Sequence, residues 1–153
     1  MIKFLVKKAK IIDSDKIKLF LQKNFKIHNL KFNNKYIKNS FNEGIWFLSK
    51  INEKIIGIIF LKIIKQDKRG ELKHLLIEEN YRGKGIGKAL FNETIKFARK
   101  NRLRKVTGFV ASSIPIRSLR KVVKSLNFKL EGILRDHYRK NEDVYVYSLL
   151  IEK

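Results

Sequence analysis

The segment Tyr81-Arg82-Gly83-Lys84-Gly85-Ile86-Gly87-Lys88 limits what this chain can fold into more than any other, because an apolar strand-like run precedes it and an amphipathic helical pattern follows. Three alternating glycines let successive backbone N–H groups converge on an anion without Cβ obstruction. At a helix N-terminus, where the partial charge is positive, such a loop is a cradle for phosphate, and Arg82, Lys84 and Lys88 add full charges. The spacing excludes two common loops of this kind. A P-loop ends in Gly-Lys followed by Ser or Thr, whereas Ala89 follows Gly87-Lys88 and leaves no hydroxyl for Mg²⁺. A dinucleotide fingerprint reads G-x-G-x-x-G, and this loop reads G-x-G-x-G. The remaining alternative is a Gly-rich turn with no ligand, which leaves three glycines and three cations together unexplained.

A chain of 153 residues suits one domain, 1–153, that buries roughly two thirds of its unfolded surface. No Pro/Gly-rich or low-complexity tract marks a linker. The longest apolar run, Ile55 to Ile64, is broken by Gly57 and Lys62 and is shorter than the ~20 residues a bilayer span needs. The N-terminus shows no signal-peptide h-region with a small-residue cleavage site, so a cytoplasmic location is expected. The absence of cysteine excludes disulfides, thiolate metal sites and an acyl-cysteine intermediate. The net charge of +22, from 36 Lys plus Arg against 14 Asp plus Glu, has two readings. One is a compositional bias toward Lys, Ile and Asn. The other is an anionic partner such as RNA or a ribosome. No acidic residue lies between Glu93 and Glu131, yet aromatic interleaving for base stacking is missing there, since Phe97, Phe109 and Phe128 fall at apolar-face positions.

Periodicity predicts a first strand at Ile2 to Val6, then a helix capped by Asp13 or Ser14 with Ile17, Phe20, Leu21 and Phe25 inward, and a short helix over Asn33 to Phe41. Ile45 to Ile51 and Ile55 to Ile64 read as a hairpin of buried strands, and Glu71 to Ile77 as a fourth strand. A helix is predicted from Gly85 to Asn101 and a strand from Arg104 to Ala111. Pro115 opens a last helix with Ile116, Leu119, Val122, Val123 and Leu126 inward and Arg117, Arg120, Lys121 and Lys124 outward. Phe128 to Leu134 and Val144 to Ile151 close the chain as strands, giving an α+β domain.

Arg82-Gly83-Lys84-Gly85-Ile86-Gly87 fits the pattern Q/R-x-x-G-x-G/A, and on it the chain resembles the GCN5-related N-acetyltransferase (GNAT) superfamily over most of its length. The resemblance implies a mixed, largely antiparallel seven-stranded sheet flanked by about four helices, and the element order agrees. It implies acetyl-CoA as acyl-donor cosubstrate and no metal. The loop Arg82 to Lys88 would take the pyrophosphate, and Leu75, Leu76 and Ile77 would lie on the strand that pairs with the pantetheine arm. The expected reaction is direct acetyl transfer to an amine. Arg135 to Tyr145 looks like the terminal hairpin of protein N-terminal acetyltransferases, which points to a protein N-terminal or lysine amine. The alternatives are a small-molecule amine, or a CoA-binding, RNA-associated module without turnover.

Such a reaction needs the amine deprotonated, the carbonyl oxygen polarised and the thiolate protonated. Glu71 is the first candidate base, its alternative being an ion-pair partner for Arg69 or Lys73. Strand alternation puts Glu71, Lys73, Leu75 and Ile77 on one face and His74, read as a packed structural histidine, on the other. His28, His74 and His137 show no metal-ligand spacing. Many relatives carry a tyrosine acid on the last helix, where this chain has Val123, and Leu126-Asn127-Phe128 replaces their Leu-Gly-Phe. Tyr138 and His137 are the remaining candidates for a proton shuttle or an amine contact, unless the segment is only a hairpin turn with Glu142 and Asp143 solvated. Ser112 or Ser113 is read as a CoA contact or a helix cap.

Overall fold

The computed structural model describes residues 1–25, 32–113 and 116–151. The elements, in chain order, are β1 (Leu5–Lys8), α1 (Ser14–Asn24), α2 (Asn34–Glu43), β2 (Gly44–Ile51), β3 (Lys54–Ile64), β4 (Arg69–Ile77), α3 (Ile86–Lys100), β5 (Lys105–Ala111), α4 (Ile116–Ser125), β6 (Lys129–Arg139) and β7 (Glu142–Leu150). The strands form one sheet in the order β1-β2-β3-β4-β5-β7-β6, in which β4 and β5 are the one parallel pair among the described residues. That parallel step requires a crossover, and α3 supplies it.

Alternation along β2 and β3 divides the core in two. Ile45 and Phe47 with Ile59 and Leu61 pack beneath Ile86, Leu90, Phe91 and Ile95 of α3 and Val123 of α4. The intervening Trp46, Leu48, Ile58 and Phe60 pack on the opposite face against Ile17, Phe20 and Leu21 of α1 and Ile37 of α2. Burying each of these large side chains contributes about 1.5–3 kcal/mol, so both helical layers are fixed by the pattern that predicted them. Trp46 is fully buried and stacks on Phe60 at 4.7 Å between ring centroids. Its indole N–H donates to Ser40 Oγ at 2.7 Å, so the burial leaves no unpaired donor.

The structure corrects several boundaries. The first strand begins at Leu5, not Ile2. Neither Asp13 nor Ser14 caps α1 with its side chain: the Asp13 carboxylate accepts from the Lys10 backbone, and the Ser14 hydroxyl donates to Ile11 O. Asn33 does cap α2, accepting from Tyr36 N at 2.8 Å. β6 runs on to Arg139, past the predicted end at Leu134. Phe109 is on the surface, 37% exposed, and not on an apolar face. Asn127 adopts φ +64 directly after α4, the left-handed helix terminus at which asparagine replaces glycine with least strain. Among the described residues no helix is long and apolar enough to cross a membrane.

Candidate active site

The Gly-rich loop ends in a helix start with no side-chain cap. Gly85 is the N-cap of α3 with φ +82 and so makes no side-chain cap hydrogen bond, and the first turn carries no acidic residue. The first N–H groups of the 15-residue helix are therefore left for another partner. A Cβ added at Gly83, Gly85 or Gly87 would meet nothing within 4 Å, so the space over the loop is open. Arg82 turns back and its Nε donates to Ile77 O at 3.1 Å, which ties the loop to the end of β4. Glu78, between them, is held by Lys54 at 3.0 Å. The donor set, oriented N–H groups with Lys84 and Lys88 at hand, suits a diphosphate.

Beside this loop the sheet opens. β4 and β5 pair from Arg69↔Lys105 only as far as Leu72↔Gly108, although both strands continue. Beyond that point Lys73 to Ile77 show pairing to β3 alone among the described residues. Within this free stretch β4 carries a bulge: Lys73 faces Phe60 and Leu76 faces Ile58, so His74 and Leu75 both stand opposite Ile59. His74 takes φ +57 to make it.

The bulge overturns the simple alternation expected for this strand. Leu75 and Ile77 pack toward α3 and Leu76 toward α1 and α2. His74 joins the α1 and α2 side, the side of Trp46 and Phe60 on which Lys73 and Glu71 also lie. Glu71 and His74 thus share a face, where period-two counting separates them. Glu71 accepts from Arg69 at 2.6 Å and lies 3.8 Å from Lys73, so both expected ion partners are present at once. His74 stacks on Trp46 at 5.8 Å and is edge-on to Phe25 and Phe32. Its Nε2 is 2.6 Å from the Tyr36 hydroxyl of α2. Burial, reinforced by the neighbouring Lys73 charge, pushes the imidazole down to about 4, so the ring is neutral near pH 7. Burial, with Glu43 nearby, pushes the Tyr36 phenol up.

The terminal hairpin holds the other candidates. Leu134 pairs with Val144 and Arg139 with Glu142, so Arg135 to Tyr138 form an outward bulge on β6. Asp143 organises it, accepting from Arg135 at 2.5 Å and from the Asp136 backbone at 3.1 Å. Those two donors, the backbone first, hold the Asp143 carboxyl below its usual range. His137 and Tyr138 sit side by side on this bulge, ring centroids 5.0 Å apart. Tyr138 is half exposed, and burial of the rest, with Glu142, raises its phenol. Glu142 is not solvated as a plain turn would have it: it is 4% exposed, accepts from Ser113 at 2.7 Å and pairs with Arg139 at 2.8 Å. Asp143 N donates to Ser112 Oγ at 3.0 Å, so both serines fasten the hairpin to the end of β5.

Val123 is buried in the core beneath α4, with no polar atom to offer where relatives have a tyrosine. Ser112, Ser113 and the hairpin had sequence signals. Tyr36 had none, because its pairing with His74 joins residues 38 positions apart through a bulge. His28 and Pro115 lie outside the described residues. Among the described residues no three His, Asp or Glu side chains cluster to hold a metal ion.

An uncapped helix start behind three open glycines, set against a parting between two parallel strands, is the arrangement that the loop's resemblance to acyl-CoA-binding proteins leads one to expect. Residues 12–117 match the sequence model of the Acetyltransferase (GNAT) family, and the chain belongs to that family. It is 31% identical to N-acetylaspartate synthetase of Xenopus tropicalis over 93 residues, 60% of this chain and 33% of that protein. The aligned part thus spans about a third of this curated relative's length. Among solved structures, the ribosomal-protein-S18-alanine N-acetyltransferase from Escherichia coli superposes with a TM-score of 0.82 at 17% identity, covering 99% of this chain and 96% of that one. Arabidopsis thaliana NAA60, in complex with a bisubstrate analogue, gives 0.81 at 18% identity, covering 98% and 99%. At such identities the two superpositions establish a shared fold.

Proposed function

We propose that this chain is an acetyl-CoA-dependent N-acetyltransferase that passes the acetyl group directly to an amine, first of all a protein N-terminal or lysine amine. The observation that carries this reading is the uncapped, carboxylate-free start of α3 behind three open glycines, next to the parting of β4 and β5. In this reading Arg82 to Lys88 grip the diphosphate and Leu75 to Ile77 offer their backbone to the pantetheine arm. Glu71, fixed by Arg69 and Lys73, draws the proton from the acceptor amine through water. Tyr138, with His137 beside it, faces the departing sulfur or the incoming amine, since Val123 supplies no acid. The protein-acceptor reading is supported by the name of the Escherichia coli structural relative, a ribosomal-protein-S18-alanine N-acetyltransferase.

A second reading, transfer to a small anionic amine, is favoured by a different observation. The curated relative is named for N-acetylaspartate, and Lys62, Arg69 and Lys73 stand on the face of the sheet that carries Glu71. An anionic macromolecular partner rests on less, the outward row of Arg117, Arg120, Lys121 and Lys124 on α4.

Calorimetry with acetyl-CoA, followed by acetyl transfer to a panel of N-terminal peptides and free amino acids, tests the proposal. Micromolar binding and turnover of at least one amine are expected, and no heat on adding acetyl-CoA would overturn it. Turnover confined to free acidic amino acids would exchange the two readings. Glu71→Gln is expected to lower kcat/KM by about 10²–10⁴ while leaving acetyl-CoA affinity within about twofold.

A further inference from the structure

Among the described residues, a tyrosine and a neutral histidine share a short hydrogen bond at the point where the sheet parts, and the reaction outlined above leaves both unused. His74 lies in the first free residues of β4 after its last pairing with β5, on the face covered by α1 and α2. Its imidazole is enclosed by Trp46, Phe60, Phe25 and Phe32, which fixes the ring plane. The bulge that turns it there holds a non-glycine residue at φ +57, a conformation the surroundings must enforce. Tyr36, by contrast, is 41% exposed. One end of the pair is locked in aromatic packing and the other faces solvent beside the opening.

We infer that Tyr36, oriented by His74, is the group that holds the acceptor amine at the parting of β4 and β5. The inference rests on the acetyltransferase reading and adds to it the residue that receives the acceptor. A neutral imidazole has one nitrogen free to accept, and with Nε2 in that role the tyrosine hydrogen is committed to it. The phenolic oxygen then offers only lone pairs outward. It accepts from an N–H of the acceptor and turns the nitrogen lone pair away from itself, toward the thioester carbon. As the C–N bond forms and the C–S bond breaks, the amine proton leaves through the base and ends on the sulfur, while Tyr36 keeps its own proton throughout. Tyr36 is a binding residue in this scheme and His74 a positioning residue.

The charged groups around the pair fit an amine acceptor. Lys73 flanks His74 on its own strand, and Glu43 acts on the Tyr36 phenol from the end of α2. Glu43 lies 3.6 Å from Lys62, which stands opposite Glu71 on the neighbouring strand. The candidate base and the phenol are therefore two ends of one polar row on the acceptor face.

Tyr36→Phe keeps the ring that packs on Phe32 and His74 and removes only the oxygen. Its kinetics with the best amine of the panel are expected to show kcat/KM lowered at least thirtyfold, with much of the loss in KM for the amine. The dissociation constant for acetyl-CoA should be unchanged, and the melting temperature should fall only by the few degrees that loss of one hydrogen bond to His74 brings. Values of kcat/KM within threefold of the parent would overturn the inference and leave the acetyltransferase reading standing. A comparable loss in acetyl-CoA affinity would also overturn it, since the role would then be structural. Normal acetyl-CoA binding with no turnover of any amine by the parent protein would remove both.

Discussion

Gly85→Asp is expected to abolish measurable acetyl-CoA binding while the protein still folds. Two effects act at this position and can be separated. Gly85 has φ +82, where an L residue costs about 1–2 kcal/mol, but nothing lies within 4 Å of an added Cβ, so the strain falls on folding and not on packing. The carboxylate acts on binding. Placed at the uncapped start of α3, it competes for the N–H groups that would hold the diphosphate. At about 5 Å and an effective dielectric near 20, each pair of like charges costs about 3 kcal/mol. That is roughly a hundredfold in affinity for one charge and more for two. Gly85→Asn carries the same bulk without charge, and asparagine tolerates left-handed backbone. It should bind about tenfold more weakly than the parent, far above the aspartate variant. Calorimetry on the three proteins, with circular dichroism to verify folding, provides the comparison. Equal affinity of the aspartate variant and the parent would show that the diphosphate does not lie at this helix start.

The glycine-rich turn into α3 was legible in the sequence because it is local: glycine spacing and neighbouring cations sit within eight consecutive residues, Tyr81 to Lys88, and the helix follows at once. The two-layer core was legible for the same reason, since Trp46 and Phe47 point to opposite faces under the plain alternation of a regular strand. Legibility failed at irregularities. One extra residue in β4 moved His74 to the face of Glu71 and moved Leu75 and Ile77 off it, and no feature of Leu72-Lys73-His74-Leu75 announces a bulge. In β6 the bulge from Arg135 to Tyr138 is set by a carboxylate on the opposite strand, Asp143, acting through side-chain and backbone donors. Glu142 reads as a solvated turn residue until Ser113 and Arg139 are seen to enclose it. Each case depends on a long-range partner, and two of the three candidate catalytic groups, His137 and Tyr138, lie on the β6 bulge.

His74 gives the second large effect, a loss of stability on mild acidification that one substitution should remove. In the unfolded chain its imidazole titrates near 6.5, and in the folded protein burial beside Lys73 holds it down to about 4. Between those values the unfolded chain binds a proton that the native state refuses, so stability falls as pH drops through the window and is unaffected above it. At pH 4.5 the deficit is about 2.5 kcal/mol, which for a chain of this size lowers the melting temperature by roughly 5–10 °C. Carboxylates such as Asp143, whose folded value is lowered, lose their contribution at more acid pH and form a background common to both proteins. His74→Asn keeps a residue that accepts φ +57 and has no group to titrate. The variant begins less stable at pH 8, having lost the ring stacking and the bond to Tyr36, but its stability should fall by about 2.5 kcal/mol less than the parent's between pH 7.5 and 4.5. Parallel denaturation curves at the two pH values measure this difference. If both proteins lose the same amount, the fold does not hold the His74 ring against protonation; if the parent instead gains on the variant as pH falls, His74 is charged in the native state, its Nε2 donates to Tyr36, and the hydroxyl is free to donate, which reverses the direction in which that residue would address an amine.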